Sequence, residues 1–205
     1  MYHRWLFLVL AAALAAASAL PAPGAAAPDA AEVARIEGYL NTITTLTARF
    51  TQVASDGGSA LGTLHIQRPG RLRIDYDPPT PLQLVADGRD LIYLDKELDQ
   101  VTYFGLDATP VGYLLRPRIA FGAELEVTDL RREPGALRLQ VIDRKRPGEG
   151  SLELLFAVEP LALRQWTVTD AQGKRTAVTL HEVRLNAAVD PKLFEFDRLK
   201  YFLKN

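Results

Sequence analysis

From residue 46 onward the chain alternates apolar and polar residues with a period of two, in runs spaced too closely for parallel pairing. The first series covers 46–53, 61–67, 71–77, 82–87, 90–95 and 99–104, separated by "SDGGS", "RPG", "DPPTP", "DGRD" and "DKELD". Glycine and Asp supply the turn conformations at these points, and proline fixes its own φ. A parallel crossover needs about a dozen residues or more, so consecutive runs this close are antiparallel neighbours. A second series follows at 123–130, 136–143, 151–158, 160–169 and 174–185, divided by "EPGA", "RPGEG", "EP" and "DAQGK". About eleven strands in one sheet curl rather than stay flat. The fold class expected is mainly β: an incomplete, unclosed antiparallel barrel with short helices in its concave face.

Two stretches read as those helices. Asp29 and Glu32 have capping-box spacing, and Val33, Ile36, Leu40 and Ile43 form one stripe, which predicts a helix over about 30–43. In "DATPVGYLLRPR", Thr109 is placed to cap, Pro110 to start and Pro117 to stop a second helix over 110–116. Val111, Leu114 and Leu115 share one side of it, and Gly112 lowers its intrinsic stability. A helix this short needs a surface to lie on.

Residues 1–27 read as a secretory signal peptide: Arg4, an apolar run over 5–20, then small residues and prolines. The run is shorter than the ~20 residues of a membrane span. Cleavage after Ala19 and cleavage within 25–27 both fit. The remaining 28–205 are expected to form one exported, soluble domain. There is no cysteine, hence no disulfide and no lipid-bearing N-terminal cysteine. Removing Arg4 takes the formal charge from −1 to −2, which gives no footing for a nucleic-acid partner.

Chemistry-bearing motifs are sparse. Beyond the leader the histidines are His65 and His181, and the serines are Ser55, Ser59 and Ser151, none in a nucleophile elbow. No zinc, calcium or phosphate-loop pattern occurs. Asp75 and Asp77 share a face and read as solvated acids at a strand end. No cofactor, metal or catalytic activity is expected; the chain reads as a binding protein.

Strand parity assigns the inward face. It holds Phe50, Leu64, Ile66, Leu72, Ile74 and Tyr76, then Leu82, Leu84, Leu91 and Tyr93, and in the second series Leu137, Leu139, Leu154 and Phe156. Val33, Ile36 and Leu40 add the helix stripe. These residues describe either a packed core or a hollow for an apolar ligand; about 25 helical residues are thin cover for so large a face. Arg68 continues the inward parity of Leu64 and Ile66. It is either a solvated strand end or a buried cation whose donors must be satisfied. Pro69 and Gly70 stand in the order of a type II turn.

"LTARFTQ", "GTLHIQRPGRLRIDY", "LVADGRDLIYLDKELDQVT", the short helix and "DPKLFEF" occur in an order that resembles the periplasmic outer-membrane lipoprotein carrier family, LolA, over roughly residues 30–197. The resemblance implies an unclosed barrel with a helical lid made by Val111, Leu114 and Leu115, and a lipid-binding cavity on the inward face. It implies a monomeric periplasmic chaperone. Such a carrier takes triacylated lipoproteins from a lipoprotein-releasing ABC transporter in the inner membrane and passes them to an outer-membrane acceptor. It implies that Arg68 latches the lid through backbone carbonyls. Ile74 and Ile92 stand where the family often has aromatics, which makes the expected cavity wall more aliphatic. The alternative is a lipid-sensing envelope-stress regulator of the RseB type, against which the expected absence of a further C-terminal domain counts.

Overall fold

The computed structural model describes residues 29–198; the expected leader lies outside them. Helix α1, Ala30–Thr42, begins where Asp29 accepts hydrogen bonds from the backbone of Ala31 and Glu32. Eleven strands follow: β1 (Thr45–Ala54), β2 (Ser59–Gln67), β3 (Arg71–Tyr76), β4 (Leu82–Asp87), β5 (Asp90–Asp95), β6 (Gln100–Gly105), β7 (Leu125–Glu133), β8 (Ala136–Asp143), β9 (Gly150–Val158), β10 (Leu161–Asp170) and β11 (Arg175–Leu185). All pairs are antiparallel, in the order β6-β5-β4-β3-β2-β1-β11-β10-β9-β8-β7. Two meanders, β1–β6 and β7–β11, are joined side by side by the β1–β11 pairing, and β6 and β7 are the two free edges of the unclosed sheet. The chain between them, residues 106–124, is therefore a crossover from one edge to the other. Among the described residues no helix is long and apolar enough to cross a membrane.

One face of the sheet surrounds a single apolar cluster. Phe50, Leu64, Leu72, Leu139, Leu154 and Phe156 are each 1% exposed or less, and Ile36, Leu40, Leu114 and Leu115 fill the cluster from inside. The alternation works because each strand presents every second side chain inward. Helix α1 is seated on β9 and β10. The Tyr39 ring meets Phe156 edge-on at 6.1 Å, and its hydroxyl accepts from the Leu163 backbone N–H at 3.0 Å, where a bulge interrupts the β9–β10 register. The start of α1 is tied to β7, where Arg132 pairs with Glu32.

Leu82 and Tyr93 share a face with Leu84 and Leu91 but are half-buried and stand outside the main cluster. The placing of Ile92 in the cavity wall, which the resemblance implies, needs correction. Ile92 is fully buried but on the convex side, paired with Val85. There the segment Pro191–Phe194 folds back across β3 and β4, with the Leu193 carbonyl accepting from Arg73 at 3.1 Å. Phe194 is 3% exposed, and Val85, Ile92 and Leu94 are buried in the same way, separately from the concave core. The acids expected to be solvated are paired: Asp75 with Arg73 and Gln83, Asp77 with Arg49. Burial alone raises the Asp75 carboxyl, but its Arg73 and Gln83 hydrogen bonds outweigh that and hold it below the ordinary carboxylate range. Phe194→Ala is expected to cost about 3–5 kcal/mol in urea unfolding.

Candidate functional site: the closed hollow under the crossover

The crossover consists of a 3-10 turn, Leu106–Ala108, a 3-10 helix, Pro110–Leu115, and an irregular stretch to β7. Thr109 does not cap the second piece. Its hydroxyl donates instead to the Leu106 carbonyl at 2.8 Å, because the first turn directly precedes it. Gly112 has a specific cause too: a Cβ there would lie 2.2 Å from the Leu106 carbonyl oxygen. Only glycine lets the two pieces fold onto each other this closely.

The resemblance implies a vacant lipid-binding cavity on the concave face; in this state that face is instead filled by the protein's own side chains. Leu114 and Leu115 of the crossover and Ile36 and Leu40 of α1 are all within the core cluster, and Val111 and Val33 pack against it half-buried. Ile119, from the stretch that carries no helix, is 2% exposed and fills more of the hollow. Among the described residues, a cavity of about 20 Å³ lies between Leu40, Ile66, Leu114, Ile119 and Trp166. That is room for about one water-sized sphere and not for an acyl chain.

Arg68 borders this cavity. β2 ends at Gln67, and the side chain continues the inward direction of Leu64 and Ile66. Each of its five guanidinium N–H groups has an oxygen. Nε donates to the Arg116 carbonyl at 2.8 Å and Nη2 to the Pro117 carbonyl at 3.3 Å, both in the crossover. Nη1 donates to the Leu40 and Ile43 carbonyls at 2.6 and 3.1 Å, and Nη2 also to Asn41 Oδ1 at 3.3 Å, all at the end of α1. The last turn of α1 has no basic residue of its own. Arg68 brings from the sheet the cation that a helix C-terminus favours. Burial lowers the guanidinium's pKa, yet an arginine stays charged in a protein. Gly70, at φ +77°, adds its own N–H to the Leu115 carbonyl at 2.8 Å. The positive φ of Gly70 is the one a type II turn requires at its third residue, and the Arg68–Pro69 peptide is cis.

Sequence reasoning did not single out Asn41 or Glu37. Asn41 donates to the Ile119 carbonyl at 2.8 Å and accepts from the Ile119 N–H at 2.9 Å, a two-way bond to the crossover. Glu37 accepts from the Phe121 N–H at 2.8 Å. The two stand four residues apart on α1, on one side of the apolar stripe; that spacing of polar groups beside a buried face was the available signal. Tyr76, at the far end of the hollow, donates to Gln52 at 2.7 Å, and burial pushes its hydroxyl up to about 12. His65 of β2 and His181 of β11 are bonded across to Thr47 and Thr51 of β1.

Residues 41–197 match the family model described as "Outer membrane lipoprotein carrier protein LolA". The chain belongs to the LolA family. An outer-membrane lipoprotein carrier protein of Pseudomonas aeruginosa strain UCBPP-PA14 is 34% identical over 196 residues, covering 89% of this chain and 91% of that one. One from Methylococcus capsulatus strain Bath is 30% identical, covering 79% and 81%. Among solved structures, a DUF1329 family protein from Desulfovibrio piger superposes with a TM-score of 0.51 at 9% identity, over 80% of this chain and 95% of that one, a likeness of fold alone. Within the LolA fold of this chain, Gly112 is the crossover glycine with no room for a Cβ, whereas Gly122 has open space there. Gly112→Ala is expected to lift Pro110–Leu115 from the preceding turn, lowering stability by about 1–3 kcal/mol and increasing the fluorescence of an added apolar dye.

Proposed function

We propose that this chain is a periplasmic carrier that shields the acyl chains of lipoproteins between the inner and outer membranes, with the crossover as its lid and Arg68 as the latch. The observation that carries this reading is the pairing of an apolar hollow, closed to about 20 Å³, with a cation that borders it and spends all its donors on the parts that close it. The proposed partners are triacylated lipoproteins, the inner-membrane transporter that releases them and an outer-membrane acceptor. The role calls for no cofactor and no catalysis.

The energetics explain why a carrier needs a latch. Burying a methylene is worth about 0.8 kcal/mol, so three chains of about 15 methylenes total roughly 36 kcal/mol against water, beyond the roughly 20 at which noncovalent affinity saturates. The competitor is a membrane, which buries the chains equally well. The net preference for the carrier is therefore small, and a modest term inside the protein decides between holding and releasing. Acyl chains and the closed lid compete for one space. Each hydrogen bond Arg68 makes in the closed, empty state favours expulsion of cargo.

Arg68→Leu removes that term. The variant is expected to load a triacylated lipopeptide at least as well as wild type. Its transfer to outer-membrane vesicles is expected to be slower by at least about tenfold, the scale of one hydrogen bond to a charged group. Transfer at the wild-type rate contradicts the latch. Native mass spectrometry of the protein purified from the periplasm tests the carrier reading itself: bound acylated lipoprotein is expected, and a protein that takes up no lipopeptide when mixed with it overturns the reading.

A further inference from the structure

Arg68 holds only the trailing end of the crossover. The leading end meets a second charged group that, like Arg68, continues an inward-facing strand. In β8 the inward residues are Leu137, Leu139 and Val141, and the next in step is Asp143, 5% exposed. A carboxylate there is costly unless its oxygens are matched. Asp143 Oδ1 accepts from the Lys145 backbone N–H at 2.7 Å. Oδ2 accepts from Arg146 through Nη2 at 3.0 Å and Nε at 3.3 Å, and from the Tyr113 hydroxyl of the crossover at 3.3 Å. Arg146 Nη2 also donates to the Asp107 carbonyl in the first turn of the crossover, at 2.5 Å, while Nη1 goes to Glu149 at 3.0 Å. Tyr113 is 7% exposed, with the Arg116 guanidinium 5.0 Å from its ring centre.

The two ends are thus held by mirrored devices. Just past the end of β2 a cation takes carbonyls from residues 116 and 117; at the end of β8 an anion and, three residues on, a cation take a hydroxyl from residue 113 and a carbonyl from residue 107. The geometry points to Asp143 and Arg146 as a second catch that pins the leading end of the lid to the β8–β9 turn, independently of Arg68. Release at Arg68 then leaves the crossover tethered at residues 107 and 113, with only its trailing end free to lift. This inference rests on the reading of the crossover as a lid. Asp143 and Arg146 are positioning residues in it: they touch the lid and not the cargo.

Backbone hydrogen exchange on the full mature chain tests it with Asp143→Asn, which keeps the side chain's shape, and with Arg146→Gln at a partly exposed position. Both variants are expected to speed exchange across 106–115 by at least about tenfold, with β8 and β9 unchanged. Unchanged exchange across 106–115 in a folded Arg146→Gln protein overturns the proposal. So does acceleration of β8 and β9 by the same factor, which marks a role in strand pairing alone. Uptake of a triacylated lipopeptide separates the two readings. Faster uptake in Arg146→Gln supports both, whereas localised exchange with unchanged uptake supports the catch and overturns the lid.

Discussion

A guanidinium beside an apolar hollow can be accommodated only where every N–H finds an oxygen, and Arg68 finds them at the end of α1 and in residues 116 and 117. That requirement fixes the rest of the closed state. It sets the C-terminal end of α1 and the trailing end of the crossover against the same point of the sheet. Asn41 and Gly70 then tie the same segments by their own hydrogen bonds. Losing the crossover's position strands several donors and acceptors together, so the closed arrangement is cooperative. A single side chain thereby couples the two elements that fill the hollow.

The open sheet makes such a device useful. Its edges β6 and β7 are joined by the crossover rather than by strand pairing. Displacing the crossover therefore breaks no ladder, and the inner face can change its contents while the scaffold stays intact. The scaffold is reinforced away from that face, with Phe194 buried on the convex side beside Val85, Ile92 and Leu94. On the proposed carrier reading, binding and stability belong to opposite faces of one sheet.

The strands were legible because each turn carries Gly, Pro or Asp at its corner; observed and expected bounds differ by a residue or two at most ends. Helix α1 was legible from Asp29 and its stripe. Period-two reasoning put Leu91 and Tyr93 inward and hence Ile92 outward; what it could not supply was what buries Ile92 there, the segment Pro191–Phe194 folded across the convex face of β3 and β4. The filling of the hollow was also hidden. Ile119 lies in a stretch with no regular structure, so counting helical residues undervalued the cover. Half of what Arg68 touches was invisible for a related reason: the carbonyls of α1 are brought to it by tertiary packing, and no local pattern announces that. The inward Asp143, by contrast, stood in plain view in "ALRLQVID", in step with three apolar residues.

The central claim is that the hollow is closed when empty and that cargo displaces the crossover. Distance measurement between two spin labels tests it most directly, and the absence of native cysteine makes the labelling clean. One label goes on Arg118→Cys, exposed just beyond the lid, and the other on Val53→Cys, exposed on the convex side. Adding a triacylated lipopeptide is expected to replace the single closed distance by a longer one, in proportion to the amount bound. A distance that stays at its empty value with lipopeptide bound one to one would contradict the account.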